Sequence, residues 1–250
     1  MGFLIGPLSR SGASESIDLP SLDRDELRSE LKSIARLNRF FGGTSIILAQ
    51  FDRFLKSRRL SGTVSILDVG TGGADIPRAL VKFARKRGVR IEIVAYEKHE
   101  QVLEAAAGFS SAYPEISFVK ADILTSSLAP ASFDFAVCSL VAHHMSRDET
   151  VELLRILNHV SRRGFILSDL DRRRLAYAGV WLGTRLFTRS RYARHDGPLS
   201  VLRAYTLDEM TELTRRAGCD GLRIFRHPFF RLLVVQEKNG FLSRSPGARE

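Results

Sequence analysis

The sequence predicts an α/β fold: a Rossmann-like, seven-stranded, mostly parallel sheet with helices on both faces, an N-terminal helical lid and a helical insertion after the fifth strand. Three observations carry this prediction. From Ser65 onward, short β-type runs alternate with helix-length segments, the pattern of successive βαβ units. Several runs are continuously apolar, as strands covered on both faces must be. The closing stretch GLRIFRHPFFRLLVVQEK then reads as two strands close together, bringing the count to seven.

Residues 1–20, rich in Ser, Gly and Pro, read as a flexible tail. A lid spans residues 21–60. Its first helix begins at Ser21 as N-cap, with Asp23, Asp25 and Glu26 in the first turn. Leu27, Leu31, Ile34, Leu37, Phe40 and Phe41 form its apolar stripe. Gly42-Gly43 interrupts the pattern, and a second helix follows from Thr44 to Leu55. The main domain covers residues 61–238. VSILDVG is its first strand, Asp75 to Arg87 a helix ended by Gly88, and RIEIVAYE the second strand. A helix from His99 to Ala107, the strands ISFVKAD and FDFAVCSL, a helix from Asp148 to Val160 and the strand RGFILSDL complete the alternation. The insertion, about 171–205, holds one or two helices and a loop. Thr206 and Glu209 then open a helix with a capping box. Residues 239–250 read as a second flexible tail.

Apolar and charged fractions of 44% and 26% are those of an ordinary globular protein. Cys138 and Cys219 lie far apart and match no metal spacing, which fits a reducing cytoplasm. The short apolar patch from Phe3 to Leu8 lacks a basic lead, and no apolar run approaches the ~18 residues of a membrane span. The net charge is +10, and the window from Arg162 to Arg203 carries ten arginines against three aspartates. Such a balance suits nucleic acid, a membrane surface or an acidic ligand, or simply arginine-rich solvent faces.

The segment ILDVGTGGADIP carries the chemistry. A dinucleotide fingerprint needs a third glycine where this chain has Asp75, and a carboxylate there repels pyrophosphate at the helix N-terminus. No G-K-[ST] follows, so a phosphate-binding P-loop is absent as well. Asp68 before the loop and Asp75 after it instead suit a ligand with positive groups. In Asp68, Gly70, Gly72 and Gly73 the chain resembles the class I S-adenosylmethionine (SAM)-dependent methyltransferases. That resemblance implies SAM as cofactor and covers about residues 35–237. It places Glu97 on the ribose hydroxyls, Asp122 with Ile123 at the adenine, and Ser139 and Leu140 on the cofactor's other side.

The segment SLVAHHM takes the place of the N-P-P-Y-type motif of amide and nucleobase methylation. It resembles small-molecule methyltransferases of ubiquinone and menaquinone type, and RHDGPLSVLRAY resembles a segment of polyketide-associated ones. This implies a small, aromatic or quinone-like, lipophilic acceptor methylated at oxygen or carbon. His143, His144 and His195 are the candidate bases, with His144 and His195 preferred. At most one of the adjacent pair is expected to face the pocket. Asp169 and Asp171 could suggest a metal, but Asp171 reads better as the N-cap of the next helix, so no metal is expected. LAYAGVWLG reads as a lid helix packed on the core, the alternative being a face that touches a membrane or admits a lipophilic substrate. Arg39 is a candidate lid or substrate contact. Rival functions are an RNA methyltransferase, disfavoured for want of aromatics interleaved with the basic residues, a nucleotide-binding oxidoreductase, and a non-catalytic SAM-binding subunit.

Overall fold

The structure, a computed structural model, describes residues 8–13, 15, 23–56, 62–188 and 190–238. The lid is formed by α1 (Arg24–Phe40) and α2 (Gly43–Lys56). The alternating part runs β1 (Val64–Val69), α3 (Asp75–Arg87), β2 (Ile91–Glu97), α4 (Glu100–Phe109), β3 (Ile116–Lys120), β4 (Phe133–Ser139), α5 (Arg147–Val160) and β5 (Ser161–Leu170). The insertion is two helices, α6 (Arg174–Phe187) and α7 (Arg191–Arg203), followed by α8 (Leu207–Ala217), β6 (Leu222–His227) and β7 (Arg231–Glu237).

The sheet order is β3-β2-β1-β4-β5-β7-β6. Strands β1 to β5 are parallel, and β7 lies antiparallel between β5 and β6. The continuous apolar runs divide residue by residue between two cores, because successive side chains leave a strand on opposite faces. Ile66, Phe135, Val137 and Ile166 face one core with α2 and α3, where Phe54 stacks on Phe135 at 4.8 Å. Leu67, Ala136, Phe165 and Leu167 face the other with α5 and α8. Strand order reverses between β1 and β4, so the loops after these strands diverge and leave a crevice at their C-terminal ends.

Local capping signals explain most helix boundaries. Ser146–Glu149 and Thr206–Glu209 form complete capping boxes at α5 and α8, and Gly88 and Gly218 end α3 and α8 in the left-handed region. The α5 cap is thus Ser146, just ahead of the expected start at Asp148. Ser21 lies outside the described residues, as do 239–250. Asp23 occupies the α1 N-cap position. Asp171 does not cap α6. Arg173 holds that position, and the Asp171 carboxylate accepts from Arg226 Nε of β6 at 2.8 Å, a charged partner that outcompetes a helix N–H. Nor is all of 1–20 loose. The Leu8 carbonyl accepts from Arg172, Arg10 donates to the carbonyls of Arg203 and Met145, and Glu15 is buried.

Candidate functional site

A cavity of about 330 Å³ occupies the crevice, roofed by α1, α6 and α7. The glycine loop forms its floor. The Gly70 and Thr71 amides both donate to the Tyr96 carbonyl, at 2.9 and 3.0 Å, which turns the chain sharply after β1. Gly70 has φ +67°, and a Cβ there would stand 2.5 Å from Val141 Cγ2, so no other residue fits. Ala74, the residue before α3, is also left-handed at φ 54°, a strain of the kind functional loops retain.

Asp68, next to last in β1, is only 2% exposed, and its Oδ2 has no hydrogen-bond partner among the described residues. Burial pushes its carboxyl up to about 7, partly offset by the Thr71 hydroxyl and reinforced by the charges of Asp75 and Glu97. A buried carboxylate this poorly solvated is stabilised by any cation that reaches it. Glu97 is buried too, accepting from the Gly72 amide at 3.2 Å and the His99 amide at 3.0 Å. Asp122 lines the cavity while its side chain accepts from the Leu124 amide, and the Ser139 hydroxyl is buried without a partner among the described residues.

The roof is fastened to this floor by one chain of polar contacts. Asn38 of α1 donates to Asp75 at 2.8 Å and accepts from Arg231 of β7 at 2.9 Å. Arg231 is 3% exposed, and burial pulls its guanidinium down to about 10, the charges of Asp169 and Asp75 working against that pull. Asp75 therefore sits at the cavity as the sequence suggests, but its carboxylate is tied to the lid.

A second polar cluster completes the site. His143 is 3% exposed, and its Nδ1 lies 2.6 Å from Asp169 Oδ1, while its amide donates to Asp169 Oδ2 at 3.0 Å. Burial would raise Asp169, but the His143 imidazole and the amides of Leu170 and His143 outweigh it and hold the carboxyl below its ordinary value. An ionised Asp169 only accepts, so Nδ1 carries the proton and Nε2 is left as a base. Glu15 faces both imidazoles, 3.6 Å from His143 Nε2 and 3.9 Å from His144 Nε2. Burial pushes Glu15 up to about 7, against the lowering effect of His144, Ser200 and Arg203. Glu15, His143 and His144 bring ligand-type atoms within 4.8 Å of one another. Arg203 Nε, 3.8 Å from Glu15 Oε1, already supplies the positive charge a metal ion would bring, and the group reads as an acid–base cluster.

Asp68, Gly70, Gly72, Glu97, Asp122, Ile123, Ser139 and His144 thus share one cavity. Both His143 and His144 line it, where at most one was expected. His195 does not line it: α7 turns its side chain outward, 67% exposed, with Nδ1 2.8 Å from Asp196. Arg39 is exposed on α1 and does not line the cavity either. Sequence reasoning passed over Glu15, Asn38, Arg231 and the pairing of Asp169 with His143. Arg231 had a signal, a lone charge inside the apolar run FFRLLVV.

Residues 66–164, from the middle of β1 into β5, match the family described as Methyltransferase domain. Over that stretch the chain is similar to a methyltransferase domain. Its fold is shared with solved SAM-dependent methyltransferases. A SAM-dependent methyltransferase from Aquifex aeolicus superposes with a TM-score of 0.55 at 16% identity, over 86% of this chain and 98% of that one. The plantazolicin methyltransferase BpumL, solved with a monoazolic desmethylPZN analog and S-adenosylhomocysteine (SAH), gives 0.59 at 13%, over 86% and 98%. The CMeT domain of the citrinin polyketide synthase gives 0.56 at 13%, over 77% and 53%. No curated protein matches the chain by sequence. No helix among the described residues is long and apolar enough to cross a membrane.

Proposed function

We propose that this methyltransferase domain moves the methyl group of SAM to an oxygen or carbon of a small aromatic, quinone- or polyketide-like metabolite. The observation that carries the reading is one cavity holding both a buried carboxylate, Asp68, whose Oδ2 has no partner among the described residues, and an imidazole oriented by a carboxylate, His143–Asp169. The first suits a cationic cofactor and the second suits removal of a proton from an acceptor.

The residues present fit SAM. Asp68 offers an acceptor for its ammonium, Glu97 for its ribose hydroxyls, and Asp122, Ile123 and Ser139 line the rest of the same wall. Bound SAM supplies a methyl group on a sulfonium, which is displaced in line. The chain's own work is to place the acceptor and ionise it. Making phenolate at neutral pH costs about 4 kcal/mol. His143 Nε2 takes that proton while Asp169 steadies the imidazolium, a contribution of about 10²–10⁴-fold. His144 and Glu15 hold the proton network behind it. The roof of α1, α6 and α7 keeps water from the reacting groups.

Four arginines of the basic window are used within the fold and are not offered to RNA. Arg163 pairs with Asp134, Arg172 with Glu209 and Arg173 with Asp171, while Arg203 donates to the carbonyls of Ala13, His143 and His144. These arginines hold the fold together. Incubation with labelled SAM and host extract, followed by mass spectrometry of the labelled product, tests the reading and names the acceptor. Thermal protection by SAH and not by NADH is expected, and protection by NADH alone would overturn it in favour of an oxidoreductase.

A further inference from the structure

The roof has an outer side that the site does not use. Helix α6 buries Ala176, Val180, Gly183 and Thr184 and turns Leu175, Trp181, Leu182, Leu186 and Phe187 outward, all more than 40% exposed. The patch continues onto α1, where Phe40, 56% exposed, packs on Phe187 at 4.0 Å between centroids. On the other flank stands Phe229, 55% exposed, in the turn between β6 and β7. That turn holds two consecutive phenylalanines in the left-handed region, Phe229 at φ 65° and Phe230 at φ 64°. Bulky residues adopt this conformation at a cost of order 1 kcal/mol or more each. Phe230 packs so closely on Gly179 of α6 that a Cβ there would lie 2.4 Å from its ring. The strained turn thereby locks one ring under α6 and sends the other outward.

Charge says what covers this face. Helix α6 contains no acidic residue. Exposed arginines stand on the same helices: Arg36 and Arg39 in the C-terminal half of α1, Arg185 on α6 and Arg194 on α7, while Arg191 is paired with Glu26. The Arg185 guanidinium lies 3.8 Å above the Trp181 ring, an aromatic with a cation beside it at the edge of an apolar stripe. Apolar side chains with a tryptophan, bordered by arginines and free of carboxylates on the helix itself, match a bilayer interface and its anionic headgroups. Phe41 and Phe229 belong both to this border and to the cavity lining, so the face opens on the site.

We infer that α6, the C-terminal end of α1 and the β6–β7 turn form a docking surface for an anionic lipid bilayer, from whose apolar region the acceptor enters the cavity. The docking stands apart from the methyl-transfer reading, and only the route of the acceptor rests on it.

Trp181 is the single tryptophan of the chain, which makes the surface directly observable. The full chain is titrated with phosphatidylcholine vesicles and with vesicles containing a third phosphatidylglycerol, without SAM or acceptor. Trp181 emission should shift to the blue and the protein should sediment with the anionic vesicles, the binding weakening as salt is raised. The double substitution Leu182→Ser and Leu186→Ser should lower partitioning at least about tenfold, while SAH binding and thermal stability stay near those of the parent. An unshifted emission with anionic vesicles at low salt would overturn the inference. So would a concentration-dependent dimer that shifts Trp181 without lipid, because the face would then belong to a second copy. Failure here leaves methyl transfer to soluble acceptors untouched, and so separates this inference from the function proposed above.

Discussion

On the proposed function, Asp68 couples cofactor affinity to pH. Its group sits at about 7 because burial outweighs the help of Thr71. A cationic ligand binds the ionised form, so below pH 7 binding must first expel a proton. SAM affinity measured calorimetrically should therefore fall about fivefold between pH 7 and pH 6, with proton release seen as a buffer-dependent heat. Asp68→Asn should bind weakly at both pH values and lose the dependence. If it keeps parental affinity, Asp68 does not meet the cofactor. His143 carries the complementary expectation. His143→Asn should reduce turnover about 10²–10⁴-fold with SAH affinity within a factor of two or three. Asp169→Asn leaves the imidazole without its acceptor, and should lower turnover while raising KM little. A His143→Asn variant with full turnover on the identified product would refute the base.

Elements carry the next level, and the fastening of α1 is the one to test. Asn38 satisfies Arg231, which is buried with Nε and Nη1 lacking other partners among the described residues. Asn38→Ala strips the remaining contact from a buried cation, at a cost of about 2–3 kcal/mol, and frees Asp75 from the lid. Urea unfolding should show the loss, and stopped-flow release of SAH should speed up. Unchanged stability would mean that Arg231 finds another acceptor. The same contacts show why some features could be read from the sequence and others not. Strands, the Thr206–Glu209 capping box and the glycine loop follow from patterns a few residues long, and their sequence readings match the structure closely, whereas the sequence reading passes over the Ser146–Glu149 box. Asp171 could not be read locally, since the arginine that claims it lies on β6. His195 depended on how α7 is rotated, which its own sequence does not dictate. Glu15 sits in a Ser- and Gly-rich stretch without periodicity. Only the closing of that stretch against α7 brings it to His143.

At the scale of the whole molecule, the buried carboxylates set how stability varies with pH. Asp68 and Glu15 both stand at about 7, and Glu30 and Asp171 are also raised, each chiefly by burial. A carboxyl raised in the folded state binds protons more tightly there than in the unfolded chain. Its stabilising effect is complete below the unfolded value near 4 and is lost as pH climbs through the folded value near 7. For fully buried Asp68 the loss amounts to at most about 4 kcal/mol. Asp134, Asp169 and Glu209 act in the opposite sense, losing their contribution only as pH falls below about 4. The apo protein should thus be most stable near pH 5 and weaken towards pH 8. A cationic cofactor reverses part of that decline, because it stabilises the ionised Asp68 that burial penalises. SAM at a hundred times its dissociation constant adds about 2.7 kcal/mol, and that constant itself improves as pH rises. Urea unfolding at pH 5 and pH 8 should therefore show a steep decline for the apo protein and a shallower one with SAM present. Equal slopes with and without the cofactor would mean that Asp68 is not the group it neutralises.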